Sequence, residues 1–268
     1  MDITTASLSR SGTRTCNQDL TGESVGEHSA CFVVCDGIAG LPGGELAAKL
    51  ACSTILDQFD GNCHLNTQII RQYLQRANGA ILNEQQTTPD YHCMSTTLVS
   101  LFIDRDYKLA CWVHVGDSRL YLFRRGWLYS VTTDHSLIQQ MKDAGHRTDD
   151  INSNLLYLAL GMSGADAKAS YSDVVSLEDG DVFLLCTDGF WHGIGEELMT
   201  SSLQMVKTPQ EWMALMNRYI QKKNCNTRFS QDNYSAVAVW MGNPEESTRL
   251  ISLEGAVQLS PFRINTGS

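Results

Sequence analysis

Apolar positions along the chain follow two rhythms. Residues 30–35 (Ala30, Cys31, Phe32, Val33, Val34, Cys35) form a short, nearly continuous apolar run, the mark of a strand buried on both faces. A glycine-rich turn fills 36–44. The three-to-four spacing of Leu46, Leu50, Ile55, Leu56 and Phe59 then predicts a helix over 45–59. Ile69, Ile70, Leu74, Ala77, Ile81 and Leu82 predict a second helix over 67–85. Weak alternation at 4–9 reads as a strand. Four strands follow at 96–103, 108–115, 120–123 and 128–131. Their separators are 104–106, 116–118 and 124–126, plausible turns between antiparallel neighbours. A helix is expected over 136–144, a polar loop or flap over 145–168, and strands at 171–176 and 181–187. Helices at 196–202 and 209–222 and a core strand at 235–241 complete the pattern. Two helices, a run of strands, two helices and a strand imply an α+β fold with helices packed on antiparallel sheets, not alternating βαβ units. With no internal repeat or linker, residues 1–241 read as one domain. Residues 242–268 read as an appended tail of unassigned role, with one possible strand near 249–253.

Composition narrows the function. Of 268 residues, 43% are hydrophobic and 19% charged, enough apolar content for a sizeable core. The net charge is −10 and no Lys/Arg block stands out, which argues against nucleic-acid binding. No apolar run approaches the ~18 residues of a membrane span. The opening Met1-Asp2-Ile3-Thr4-Thr5 is acidic and polar, unlike a secretory signal. Nine cysteines cannot all pair, and no Cys-x-x-Cys occurs. Several lie within apolar runs, so they read as small buried hydrophobes in a reducing compartment, and the expected location is cytoplasmic. Nothing demands an oligomer, and a monomer is expected.

The aspartates carry the chemistry. Asp36 ends the run 33–35, Asp117 follows Val115-Gly116, Asp188 follows the run 183–187, and Asp232 precedes the strand at 235. Singly, each suits a turn. Strands paired in one sheet can bring such ends together, and clustered carboxylates either rise in pKa or call in cations. Hard oxygen ligands suit Mg²⁺ or Mn²⁺.

Eight segments, in order, resemble the motifs of one family. Arg14-Thr15-Cys16-Asn17-Gln18-Asp19 is similar to Arg-x-x-Asn-Glu/Gln-Asp, and Asp36-Gly37-Ile38-Ala39-Gly40 to Asp-Gly-x-Gly-Gly, continuing through 43–48 into a helix. Ser95-Thr96-Thr97 resembles a Gly-Thr-Thr step. Val115-Gly116-Asp117-Ser118-Arg119-Leu120-Tyr121 resembles Val-Gly-Asp-Ser-Arg-x-Tyr. Thr133-Asp134-His135-Ser136 and Leu158-Ala159-Leu160-Gly161 match an Asp-His-Ser step and a flap. Leu185 to Trp191 resembles Leu-Cys-Ser/Thr-Asp-Gly-Leu-Trp, and Asp232 to Val237 resembles Asp-Asn-Ile-Thr-Val-Val. The family is the metal-dependent protein phosphatases (PPM, type 2C) in the compact bacterial form.

The resemblance implies a central β-sandwich of two antiparallel sheets flanked by helices on both sides, a four-layer α-β-β-α arrangement. It implies a protein serine/threonine phosphatase that hydrolyses phosphoserine and phosphothreonine with two Mn²⁺ or Mg²⁺ ions and room for a third. By that likeness Asp36 bridges both ions, Gly37 gives its backbone carbonyl to one, and Asp188 and Asp232 hold the other. Asp117 joins Asp188 on a third. Gln18, Asn233 and Asp19 orient the ligands around them, and Arg14 clamps the phosphate with its planar donor pair. The implied partners are phosphorylated proteins, with a bacterial Ser/Thr kinase and its targets in signalling or secretion control. Arg119 is expected in a structural ion pair, His135 at a helix start or in packing, and His192 on the surface. Gly43 and Gly44 make a turn, not a P-loop, since no Gly-Lys-Ser/Thr follows. The chain departs from the pattern at Gln18, Ile38, Ala39 and Ser95. Ile38 removes an imidazole available elsewhere in the family as a general acid. Two other readings stay open: a phosphoprotein-binding module with little turnover, and a hydrolase of nucleotides or small phosphoesters.

Overall fold

A computed structural model describes residues 1–40, 42–148, 155–225 and 230–243. The chain opens with β1 (Ile3–Arg10), β2 (Asp19–Val25) and β3 (Ser29–Asp36), followed by α1 (Gly44–Gln58) and α2 (Thr67–Thr87). Four strands come next: β4 (Leu98–Asp104), β5 (Leu109–Val115), β6 (Arg119–Arg124) and β7 (Trp127–Val131). Two short helices, α3 (Leu137–Asp143) and α4 (Ala165–Lys168), lead to β8 (Ser170–Tyr171), β9 (Val175–Ser176) and β10 (Val182–Cys186). Then come α5 (Asp188–Ile194), α6 (Glu196–Leu203), α7 (Pro209–Cys225) and β11 (Tyr234–Met241).

The strands build two sheets. One runs β1-β11-β10-β6-β7, the other β2-β3-β4-β5-β8, with β9 also paired to β5. Every pairing is antiparallel. Strand periodicity explains the unbroken apolar runs. In β3, Ala30, Phe32 and Val34 face the opposite sheet together with Phe183, Leu185, Val237 and Val239. Cys31, Val33 and Cys35 face the other way, onto α1 and α2. In β10, Val182, Leu184 and Cys186 likewise point to Phe190, Met199, Trp212 and Met216 of α5, α6 and α7. Both faces of the central strands are therefore buried, and the layers read α-β-β-α as expected.

Several elements differ from the sequence reading. The buried face of α1 is Ala47, Ala48, Ala51, Cys52 and Ile55, with the larger Leu46, Leu50 and Leu56 half-buried at its flanks. Small residues let this helix lie close on β3. Strand β2 was not foreseen. It is a polar edge strand (Asp-Leu-Thr-Gly-Glu-Ser-Val), and at Gly22 a Cβ would sit 2.5 Å from Leu56 Cδ1, beneath α1. Helix α5 was also missed, because its polar, glycine-containing start at Asp188 hides its period. The strand expected at 171–176 is two short pieces. Ser172 interrupts it, its Oγ accepting from Trp112 N–H (2.9 Å) and its N–H donating to Trp112 O (2.9 Å). A short α4 occupies part of the expected 145–168 loop. The possible strand near 249–253 and nearly all of the 242–268 tail lie outside the described residues.

Every strand end that matters for chemistry falls on one side of the sandwich: the ends of β1, β3, β5 and β10 and the starts of β2, β4, β6 and β11. Trp212 anchors the helices that hold β10 in place. It is fully buried, edge-on to Phe123 at 5.6 Å, and its indole N–H donates to Ser202 Oγ at 2.9 Å. Trp212→Ala is expected to cost about 3–5 kcal/mol by leaving a cavity, lowering the thermal midpoint by roughly 10 °C. Differential scanning fluorimetry against Trp212→Phe, which keeps most of the ring volume, checks this.

Candidate active site

The strand ends meet at a cavity of about 340 Å³. Asp36 closes β3, Asp117 follows β5, Asp188 opens α5 just after β10, and Asp232 precedes β11; all four line the cavity with Arg14, Gln18, Gly37 and Asn233. The site residues expected from the sequence thus converge, save one. Asp19 lies directly opposite Asp36 in the β2–β3 register, buried behind the cavity and not on its wall.

A frame of neutral hydrogen bonds sets each carboxylate. The Asp36 N–H donates to Thr97 Oγ1 (3.0 Å), and its carbonyl accepts from Thr96 Oγ1 (2.9 Å) and from Thr97 N–H (2.8 Å). Thr97 Oγ1 in turn shares a 2.6 Å hydrogen bond with Ser118 Oγ, beside Asp117. Asn233 ties the 11–18 segment to the start of β11. Its Oδ1 accepts from Gln18 N–H (2.9 Å), its Nδ2 donates to Ser11 O and Cys16 O (both 2.9 Å), and its own N–H donates to Asp232 Oδ1 (2.8 Å). Gly37 N–H donates to Gln18 O (3.1 Å). A Cβ on Gly37 would sit 2.3 Å from Gly44 O, so only glycine lets the start of α1 close over this loop. Thr187 Oγ1 donates to Asp19 Oδ2 (3.0 Å), while Asp19 Oδ1 is buried without a partner.

Sequence reasoning gave no role to Thr187 or Trp191. Trp191 Nε1 donates to Asp117 O (3.0 Å), fixing the loop that carries this carboxylate. Arg119 lies over the Trp191 ring at 3.5 Å and forms a two-pronged ion pair with Asp134 (2.7 and 2.8 Å), the structural role expected of it. His135 is buried at the Asp134-His135-Ser136 step as expected, with Nδ1 accepting from Gly116 N–H at 3.1 Å. Burial and neighbouring His114 hold its pKa down at about 4. His192 is exposed, as expected, with Nδ1 at 3.9 Å from Asp188 Oδ2. The aromatic types of Trp191 and His135 were visible in the sequence; their contacts depend on tertiary approach.

Charge is unbalanced here. Burial raises the Asp36 carboxyl well above its usual range, and Asp19, Asp188 and Asp117 push it further. Asp117 is raised to about 7 by burial, with Asp188 and Asp134 adding. Asp19 also reaches about 7, through burial that outweighs its bonds from Ser235 and Thr187, with Asp188 and Asp232 contributing. Asp188 is raised by burial, against the pull of His192. Among the described residues, the one cationic side chain lining the cavity is Arg14, which binds both Asp232 oxygens (Nε to Oδ1 3.0 Å, a terminal nitrogen to Oδ2 2.8 Å). No three acidic, His or Cys side chains among the described residues close into a cation cage. The donor set is nonetheless all oxygen, crowded and short of positive charge, and directly behind it Asp19 keeps a buried carboxylate oxygen without a partner. That chemistry fits hard divalent cations.

Known proteins share the sequence pattern and the fold. The chain is 29% identical to the serine/threonine phosphatase stp of Listeria monocytogenes over 195 residues, 69% of this chain and 76% of that protein. The crystal structure of the PstP catalytic domain in complex with two manganese ions shares the fold, with a TM-score of 0.74 at 24% identity over 90% of this chain and 99% of that one. So does PppA, described as a key regulatory component of T6SS in Pseudomonas aeruginosa, with a TM-score of 0.72 at 24% identity over 88% and 96%. A family model described as protein phosphatase 2C matches residues 8–231, and with that span the chain belongs to the protein phosphatase 2C family.

Proposed function

We propose that this chain hydrolyses phosphoserine and phosphothreonine in proteins with the help of Mn²⁺ or Mg²⁺. The observation that carries the reading is the convergence of Asp36, Asp117, Asp188 and Asp232, from four separate strand ends, on one cavity that Arg14 also lines. Asp36, Asp188, Asp232 and the Gly37 carbonyl would hold two ions, and Asp117 with Asp188 a third. Bound divalent ions lower the pKa of water and draw the phosphate oxygens into position.

The chain's own groups do the rest. Arg14 carries a fork of donors matched to a phosphate, and its half-exposed side chain can exchange Asp232 for substrate. Asp19, raised to about 7 with a vacant oxygen, can hold a proton near Asp36 and Asp188 at neutral pH. Gln18 and Asn233 fix the backbone that presents Gly37 and Asp232. Ile38 brings no ionisable group to the cavity, so the leaving oxygen takes its proton through water and not from a side chain at that position. The setting we favour is the cytoplasm, opposing a bacterial Ser/Thr kinase in signalling or secretion control. The likeness to PppA supports the secretion setting, and no helix among the described residues is long and apolar enough to cross a membrane.

Phosphate release from phosphothreonine peptides tests the activity. Release is expected with Mn²⁺, is lost in chelator, and falls at least about 100-fold in Asp36→Asn. The same variant should raise the thermal midpoint in chelator, because it removes one of the mutually repelling charges; a lowered midpoint would assign Asp36 a structural role. Absence of release on peptides of several sequences would favour the binding module, and faster turnover of small phosphoesters would favour the third reading.

The raised carboxyls also fix a pH dependence. Asp19 and Asp117 move from an ordinary value of 3.8 when unfolded to about 7 when folded. The folded state then binds more protons between these values, so stability is fullest below about pH 4 for these groups and is lost as pH rises through 7. In chelator the thermal midpoint should fall by roughly 5 °C or more between pH 5 and 8 through these groups. Saturating Mn²⁺ should flatten that slope. A slope that is the same with and without metal would show that ions do not bind these carboxylates.

A further inference from the structure

The opposite end of the second sheet holds a separate set of ligand-type side chains. Strand β3 runs from Ser29 to Asp36, so at about 3.3 Å per residue the two ends lie roughly 23 Å apart. At the far end, His28 Nδ1 lies 2.7 Å from Asp106 Oδ2, and His64 Nδ1 lies 3.1 Å from Asp104 Oδ2. Each imidazole is thus backed by a carboxylate, the arrangement that orients a histidine for metal binding. With Nδ1 donating, the lone pair of the neutral ring sits on Nε2, and neither Nε2 has a hydrogen-bond partner among the described residues.

The two ring centres are 5.3 Å apart. Imidazoles bound to one ion at about 2.0–2.1 Å, at a tetrahedral angle, have centres roughly 5 Å apart. The frame beneath them is firm. His28 and Ser29 donate their N–H groups to Gly61 O (2.9 and 3.0 Å), and Arg105 N–H donates to His28 O (2.9 Å). Asp104 is buried; its Oδ1 accepts from the N–H groups of Asp106 and Tyr107, and its Oδ2 accepts from Leu65 N–H as well as His64. Burial opposes the Asp104 charge, but the Tyr107 and Leu65 N–H groups and His64 outweigh it and hold the carboxyl below its ordinary range. Glu27 and Asp60 add negative charge nearby, the latter accepting from Cys63 Sγ at 3.1 Å.

We propose that His28 and His64 form a second metal site, bound through both Nε2 atoms and completed by water, for a borderline ion such as Zn²⁺, Ni²⁺ or Cu²⁺. No third protein donor joins them among the described residues. The ion would clip together the β2–β3 hairpin, the loop after α1 and the β4–β5 turn. Nitrogen donors set its preference apart from the oxygen-lined cavity, which suits Mg²⁺ or Mn²⁺. The site stands independently of the phosphatase reading.

Copper electron paramagnetic resonance tests it on full-length protein saturated with Mg²⁺, given one equivalent of Cu²⁺. Coupling to two imidazole nitrogens is expected. His28→Gln or His64→Gln should leave one nitrogen and weaken Cu²⁺ binding by about tenfold or more, and Asp106→Asn should weaken it about 10–100-fold while keeping both nitrogens. Asp36→Asn should leave the signal unchanged. A wild-type spectrum with fewer than two imidazole nitrogens, which needs no variant to fold, overturns the proposal. So does a two-nitrogen signal that survives the double variant His28→Gln/His64→Gln.

Discussion

The burial of several neighbouring carboxylates, to which their mutual repulsion adds, is the constraint around which this molecule is built. Asp19, Asp36, Asp117 and Asp188 all carry raised pKa values, with burial as the largest cause in each case. Such a cluster opposes folding whenever it is charged, and one arginine already committed to Asp232 cannot neutralise it. The rest of the fold must hold these groups together against that force. It does so by giving the central strands two buried faces, so that β3, β10 and β11 are fixed by the opposite sheet and by helices at once. The stability of the four layers and the chemistry of the cavity are therefore opposing demands on the same strands.

The device that reconciles them is neutral hydrogen bonding to the backbone around each acid. Thr96, Thr97 and Ser118 connect the Asp36 and Asp117 loops, Asn233 links the 11–18 segment to Asp232, and Trp191 grips the Asp117 carbonyl. None of these groups adds charge, and apart from the Asn233 N–H on Asp232 Oδ1 they bind the backbone or one another and leave the carboxylate oxygens alone. Arg14 is different: it lies on both Asp232 oxygens, so it and a cation draw on the same pair of acceptors. Its exposure lets it leave, and a phosphate dianion offers its fork equivalent acceptors.

Much of this was legible in the chain because strands buried on both faces need unbroken apolar runs, and acids that stop such runs stand out. The runs 30–35 and 183–187 located β3 and β10 and the aspartates at their ends. What escaped notice obeys weaker rules. Strand β2 packs one face on α1 with little more than Leu20 and the missing side chain of Gly22, so its sequence is polar. Helix α5 begins at a metal-type aspartate followed by glycine, where a Cβ would meet Asn233 O at 2.0 Å; close approach to β11 dictates its composition, not amphipathic period. For the same reason, the buried stripe of α1 is made of alanines that a search for large residues passes over. Asp19 was named from its motif, but its place behind the cavity follows from β2–β3 register, which no local pattern encodes.

A protein of net charge −10 that takes a dianionic substrate must overcome its own field locally. The geometry puts the means in one place. Three acids elsewhere in the sandwich have arginine partners: Asp134 has Arg119, Asp181 has Arg124, and Glu178 has Arg124 and Arg125. At the cavity only Asp232 is matched in this way among Asp36, Asp117, Asp188 and Asp232, and metal ions from solution are the natural counter-charge for the rest. Replacing a carboxylate there with a neutral residue would ease folding and remove the attraction for those ions in one step. The surplus of acid at this end of the sandwich is thus the same property seen twice, as a burden on the bare fold and as the source of its affinity for cations.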